Sequence, residues 1–198
     1  MSHDIRICFV GDSFVNGTGD EAALGWAGRL CAAAADKGFD ITYYNLGIRR
    51  NTSKDILLRW EYECALRLSD VCDARVVISC GVNDTVIEMG QLRVHAEESS
   101  TNLREILHGA KKYKVLMIGP PPVGGDDHNA RIQALSIAFA REASALAVPY
   151  IDIFSALAAD VDYQQEVSHN DGSHPRSHGY AKMAHLIASS PHWWFRTA

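Results

Sequence analysis

The feature that most constrains the fold is a strict alternation along the chain. Short apolar runs rich in β-branched residues, at 5–10, 41–46, 75–80, 115–119 and 148–154, read as strands buried on both faces. Between them lie stretches with apolar residues at helical spacing: Trp26, Leu30, Ala33 and Ala34; Ile56, Trp60 and Cys64; Leu103, Ile106, Leu107 and Ala110; Ile132, Leu135, Phe139 and Ala143. Local punctuation agrees, since Thr52 and Asp55 have capping-box spacing at the start of the second helix and Gly38 sits where the first should stop. Strand–helix alternation with right-handed crossovers gives an α/β fold, a parallel sheet covered on both sides.

Five strands suit the flavodoxin-like order 2-1-3-4-5, in which the first strand lies between the second and third. At 198 residues and 47% hydrophobic, the chain can bury one core, and no linker or repeat divides it, so residues 1–198 are expected to form a single catalytic domain. The Pro/Gly-dense segment 120–127 is expected to be a surface loop near the site. A net charge of -5 offers no field for a polyanion, which argues against nucleic acid as a partner. The polar start at residues 1–4 leads into an apolar run too short for a signal peptide, and no stretch is long enough to span a membrane; the expected location is cytoplasmic. Cys8, Cys31, Cys64, Cys72 and Cys80 form no CxxC pair and read as reduced thiols, mostly buried.

Ligands of open α/β sheets bind beyond the carboxyl ends of the strands, near the reversal of strand order. That rule nominates Gly11-Asp12-Ser13 after the first strand, Asn45-Leu46-Gly47 at the end of the second and Gly81-Val82-Asn83-Asp84 after the third. Beyond the fifth strand comes Asp171-Gly172-Ser173-His174-Pro175, ahead of a last helix with Met183, Leu186 and Ile187 on its apolar face. These residue types suit acyl transfer. A serine hydroxyl needs a base to take its proton, and a neutral imidazole does this near pH 7. His174 is placed for that role, and Asp171, three residues earlier, can hold its other ring nitrogen. The Ser13 and Gly47 amides and the Asn83 side chain are the candidate donors for a tetrahedral oxyanion.

Gly11-Asp12-Ser13, Gly47, the run Gly81 to Asp84 and Asp171-x-x-His174 together resemble the four blocks of the SGNH-hydrolase, or GDSL-type esterase/lipase, family. The resemblance implies a three-layer α/β/α fold and hydrolysis of esters or thioesters without a metal or cofactor, with Ser13, Gly47, Asn83 and His174 as the family's named residues and Asp171 as its triad acid. Phe14 departs from the leucine of the family motif, a change of pocket wall rather than of chemistry. His178 is left without a role. The expected reaction is cleavage of a small-molecule carboxylic ester (short acyl esters, thioesters or sugar O-acetyl groups) through an acyl-enzyme, with Phe14, Ile48, Arg49 and Val123 at the substrate.

The same residues admit other readings. Ser13 alone, or Asn83-Asp84 alone, is an ordinary turn or cap; Asp12 and Asp84 are expected to be structural partners. His169, His174, His178 and His185 invite a zinc site, His174 and His178 having i, i+4 spacing, yet no HExxH motif or cysteine cluster joins them. His95, His108, His128 and His192 are expected at the surface. Gly17-x-Gly19-x-x-Ala22 is a partial dinucleotide fingerprint that begins too far after its strand, which leaves a flavin- or nucleotide-binding module without hydrolase activity as the alternative. The G-x-S-x-G elbow of α/β-hydrolases is absent. The aromatic segment 191–195 is expected to pack against the sheet edge or a helix.

Overall fold

A computed structural model describes residues 4–195, so of the polar start only Asp4 lies inside the described residues. Among the described residues seven strands form: β1 (Ile5–Gly11), β2 (Ile41–Gly47), β3 (Asp73–Ser79), β4 (Ile87–Glu88), β5 (Gln91–Leu92), β6 (Lys114–Ile118) and β7 (Tyr150–Ile151). The helices are α1 (Ser13–Asn16), α2 (Gly25–Ala35), α3 (Ser53–Ala65), α4 (Ala96–Ala110), α5 (Asp126–Ala145), α6 (Phe154–Ala158), α7 (Val161–His169) and α8 (Ser177–Ser189). The main sheet is parallel with the order β2-β1-β3-β6-β7, which is the expected 2-1-3-4-5 once the small antiparallel β4–β5 hairpin is set aside.

Alternation along β1 divides the core into two layers. Ile7 and Phe9 point to one face, where they join Trp26 and Leu30 of α2 and Tyr180, Met183 and Ile187 of α8. Cys8 and Val10 point to the other, against Ile56 and Trp60 of α3, Leu103 and Ile106 of α4 and Phe139 of α5. With helices on both faces, three layers result. Each fully buried aliphatic or aromatic side chain in such a core contributes about 1.5–3 kcal/mol. The α3 start is as expected: Thr52 Oγ1 accepts from the Asp55 N–H at 3.3 Å while the Thr52 N–H donates to Asp55 Oδ2 at 2.8 Å.

Four local expectations need correction. β2 is not buried on both faces; it is the edge strand of the sheet, with no strand beyond it, and Thr42 and Tyr43 are exposed. Ala33 is exposed on α2, and Cys31 supplies the buried position instead. The run 148–154 pairs only through Tyr150 and Ile151 before turning into α6. Segment 120–127 is a surface loop only at Gly124 and Gly125, since residues 120–123 are buried and α5 begins at Asp126. All five cysteines are free, and no helix among the described residues is long and apolar enough to cross a membrane. Trp193 and Phe195 are buried in the core, and the buried Arg75 guanidinium lies over the Trp194 and Phe195 rings at 5.1 and 4.8 Å.

Candidate active site

Parallel pairing sets Gly47, Gly11 and Ser79 side by side at the carboxyl ends of β2, β1 and β3. The three following loops therefore begin from one line. The β1 turn is tight: a Cβ on Gly11 would stand 2.1 Å from the Ser79 carbonyl oxygen, so only glycine fits between the strands there. Asp12 follows and caps α1, its Oδ1 accepting from the Phe14 N–H at 2.9 Å. This puts Ser13 at the first helical position, where its own N–H has no acceptor within the helix.

His174 reaches Ser13 across 161 positions of chain, with Nε2 2.7 Å from Ser13 Oγ. On the other side of the ring, Nδ1 lies 2.7 Å from Asp171 Oδ2. Asp171 Oδ1 accepts from the Ser173 and His174 N–H groups at 2.9 and 2.8 Å, so one carboxylate folds its own loop and holds the ring. Burial works against the charge on Asp171, but the bonds from His174 and Ser173 prevail and hold its carboxyl below the usual range. The loop is tied down from outside as well. Asn170 Nδ2 donates to the His174 carbonyl at 3.0 Å, and the Gly124 N–H donates to the Gly172 carbonyl at 2.8 Å. Gly19 has room for this loop only because it lacks a Cβ, which would meet Asn170 Nδ2 at 2.6 Å and the Pro175 carbonyl oxygen at 3.0 Å. The fingerprint-like glycines thus serve close packing: Gly17 ends α1 at φ +86° and abuts Gly25.

Gly47 and Asn83 stand beside the same turn. A Cβ on Gly47 would lie 2.2 Å from the Asn16 backbone nitrogen, which fixes how closely β2 approaches the serine loop. The Gly47 N–H donates to Asn45 Oδ1 at 3.0 Å, and Asn45 Nδ2 donates to the Val15 carbonyl at 2.8 Å. Asn83 opens a 3₁₀ turn after β3, and its Nδ2 donates to the Asn51 carbonyl at 3.0 Å and to Asp12 Oδ2 at 3.3 Å. Asp84 is fully buried beneath, accepting the Ser53 N–H from α3 at 2.7 Å, and burial raises its pKa. Asp12 is buried too. Burial pushes its carboxyl up to about 7, with the Asp84 charge adding to the effect against the opposing bonds from Phe14 and Asn83.

The residues expected at the substrate divide into two pairs. Ile48 and Arg49 are exposed on the β2–α3 loop. Phe14 and Val123 are buried in the core, the Phe14 ring 4.9 Å from the His174 ring. His178 is exposed on α8, and His174 precedes that helix, so the two do not share one helical face. Among the described residues no group of three or more His, Cys, Asp or Glu side chains is arranged to hold a metal ion. His128 is not the solvated residue expected: it is half-buried, its Nε2 2.9 Å from Thr85 Oγ1, and burial lowers its pKa. Sequence reasoning also gave no part to Asn51, Asn170 or Asp20. The Asp20 carboxylate binds the Gly25 N–H, Arg29 and Ser177 Oγ, joining the α1–α2 loop to the start of α8.

Comparison with known proteins assigns this fold to a class of ester hydrolase. The profile of the GDSL-like Lipase/Acylhydrolase family matches residues 9–182, and the chain belongs to that family. It is accordingly an ester-cleaving enzyme, not a flavin- or nucleotide-binding module. No curated protein matches the sequence. Among solved structures, a lipase/acylhydrolase from Enterococcus faecalis is 25% identical, with a TM-score of 0.74 over 92% of this chain and 93% of that one. The acetylxylan esterase Axe2 from Geobacillus stearothermophilus is 18% identical, with a TM-score of 0.80 over 100% and 99%. The acetyl xylan esterase AlAXEase is 20% identical, with a TM-score of 0.76 over 92% and 98%. Solved forms of Axe2 include catalytic mutants at one serine, one aspartate and one histidine.

Proposed function

We propose that the chain hydrolyses carboxylic esters with short acyl groups in two steps, through an acyl-enzyme on Ser13. The observation that carries this reading is the continuous chain from Asp171 through His174 to Ser13 Oγ, with both contacts at 2.7 Å. Neutral His174 takes the Ser13 proton as Oγ attacks the acyl carbon, and Asp171 fixes the tautomer and offsets the charge of the imidazolium. The carbonyl oxygen becomes an oxyanion, held by the Ser13 and Gly47 N–H groups and by Asn83 Nδ2. His174 then gives its proton to the departing alcohol. Water enters, His174 takes a proton from it, and the acid leaves as Ser13 regains its hydrogen.

Two further facts support the assignment. The catalytic aspartate and histidine mutated in Axe2 stand three positions apart, as Asp171 and His174 do. Gly47 ends β2 with no room for a side chain, a Cβ there standing 2.2 Å from the Asn16 nitrogen and 2.6 Å from the Asp12 carbonyl oxygen, so its backbone packs directly against the segment that carries Ser13, and its N–H would be shared between Asn45 Oδ1 and the oxyanion. Acetyl groups on sugar hydroxyls are the substrates to test first, since Axe2 and AlAXEase act on acetylated xylan. Aryl esters of graded acyl length, thioesters and acetylated xylooligosaccharides form the panel. A serine-directed phosphonate is expected to label the peptide carrying Ser13 and to stop hydrolysis, while Ser13→Ala takes up no label and has no turnover. Persistent hydrolysis by a folded Ser13→Ala enzyme overturns the mechanism.

A further inference from the structure

A helix cap needs one acceptor, and Asp12 supplies two. Its Oδ1 receives the Phe14 N–H at 2.9 Å, which completes the cap. Its Oδ2 faces a residue 71 positions away, Asn83, whose Nδ2 approaches at 3.3 Å. The same nitrogen donates to the Asn51 carbonyl at 3.0 Å, so the Asn83 carboxamide is held at two points, one of them an ionisable group. Serine or threonine would cap α1 equally well, and neither could reach out with a second acceptor.

We propose that Asp12 is a positioning residue for oxyanion binding: as a carboxylate it orients the Asn83 carboxamide toward the oxygen that develops charge at Ser13. This rests on the assignment of Asn83 as an oxyanion donor. One Nδ2 hydrogen is committed to Asn51, and the other lies on the long contact to Asp12, where a developing oxyanion can share it. The acid form of Asp12 cannot do the same work. Protonation removes the charge that strengthens both bonds and takes one lone pair, so the longer contact, to Asn83, is the one that weakens. Asparagine has one acceptor where two are needed.

Asp12 is 2% exposed, and burial brings its titration to about 7, inside the range in which the enzyme is assayed. The groups that face it are Asp84 of the 3₁₀ turn, the Cys80 thiol after β3 and the Tyr180 hydroxyl of α8; Arg59 of α3 donates to the carbonyl of the adjacent Gly11 at 2.8 Å. Asp84 titrates as well but bonds to Ser53. Because Asp84 acts on Asp12 through its charge, the two titrate as a pair, and Asp84→Asn with and without Asp12→Ser separates their contributions to the pH profile.

The test compares wild type, Asp12→Ser, Asp12→Asn, Asn83→Ala and Asp12→Ser/Asn83→Ala on an aryl acetate. Asp12→Ser keeps the cap and removes only the second acceptor, and far-ultraviolet circular dichroism checks that it folds. Its kcat is expected to fall roughly ten- to a hundredfold, and Asn83→Ala roughly a hundred- to a thousandfold. The double variant is expected to match Asn83→Ala alone, because a residue that acts through Asn83 has nothing left to position. Wild-type log kcat/KM against pH should carry an extra inflection where Asp12 titrates, a step of roughly ten- to a hundredfold between the carboxylate and the acid form, and this step should be missing in Asp12→Ser; Asp12→Asn, with a single acceptor, should resemble the serine variant. Wild-type kcat in Asp12→Ser, or additive losses in the double variant, overturns the proposal and leaves Asp12 as a cap. Near-full activity in Asn83→Ala overturns the oxyanion assignment itself, a failure read from that single variant.

Discussion

Replacing Gly47 by alanine separates the two things this residue supplies, a backbone N–H and the absence of a side chain. Alanine keeps the N–H. Its Cβ, however, would stand 2.2 Å from the Asn16 nitrogen, 2.6 Å from the Asp12 carbonyl oxygen and 2.8 Å from the Asn16 Cα, where ordinary contact begins at 3.4 Å. All three atoms are backbone, so no rotamer change relieves the overlap. The end of β2 and the 12–16 segment must part by about 1 Å, and that segment carries Ser13. Its 2.7 Å contact to His174 then opens to a separation at which hydrogen bonding is weak or lost. Misplacement of about 1 Å at reacting atoms costs roughly a hundredfold in turnover, and overpacking costs about 1–3 kcal/mol of stability, equivalent to roughly 3–10 °C in melting temperature at this chain length. Steady-state kinetics on an aryl acetate and thermal unfolding followed by circular dichroism read both quantities. Gly38→Ala is the control: Gly38 follows α2 at φ +86°, but its Cβ meets nothing within 4 Å, so it should lose stability of order 1 kcal/mol and no turnover. Wild-type kinetics and melting in Gly47→Ala would show that the close approach of β2 to the serine loop is not what fixes the site.

Two further predictions concern the titrating groups. His174→Ala should abolish hydrolysis and Asp171→Asn should reduce it by no more than that, while His178→Ala, on an exposed position of α8, should leave kcat unchanged; loss in His178→Ala with activity kept in His174→Ala reverses the choice of base. Stability should be greatest at mildly acidic pH. Asp12 has a folded-state pKa raised from 3.8 to about 7, so the folded protein binds the extra proton and stability is lost as pH rises through that interval, by about 4 kcal/mol at the reference 1.36 kcal/mol per unit. Glu21 and Asp73, held down to about 2 by Arg176 and Arg75 respectively, work in the opposite sense: their contribution is present above the ordinary carboxylate range and is lost as pH falls toward their folded values. Urea unfolding at pH 5 and pH 8 should show the alkaline loss in wild type and a much smaller one in Asp12→Asn; equal losses in both would place the raised proton elsewhere.

The parts of this molecule that were legible in the sequence are those governed by local rules. Buried parallel strands impose runs of β-branched residues, the loops that follow them need Gly, Ser, Asn and Asp, and the Thr52–Asp55 cap lies within four residues. The illegible parts are contacts between groups with no pattern of their own. Asp12 with Asn83, Asp20 with Ser177 across 157 positions, and the Asn51 carbonyl that holds Asn83 depend on where the layers settle. The same holds for β2, whose exposure follows from lying at the sheet edge, and for the β4–β5 hairpin, too short to show alternation.

One discrimination was written locally after all, in the residue that follows His174. Zinc held at i, i+4 spacing requires His174 and His178 on one helical face. Pro175 stands between them, and the residue before a proline is driven out of the helical region by contact with the ring. His174 is therefore placed outside any helix that contains His178, and α8 indeed starts only at Ser177. Freed from the helix, His174 sits on a loop closed by Asp171, which turns its ring toward the end of β1 rather than along α8. Replacing Pro175 by alanine lifts the restriction without touching the ring. If the constraint acts as argued, the loop loosens, and hydrolysis falls while the spacing of the two histidines stays as it was.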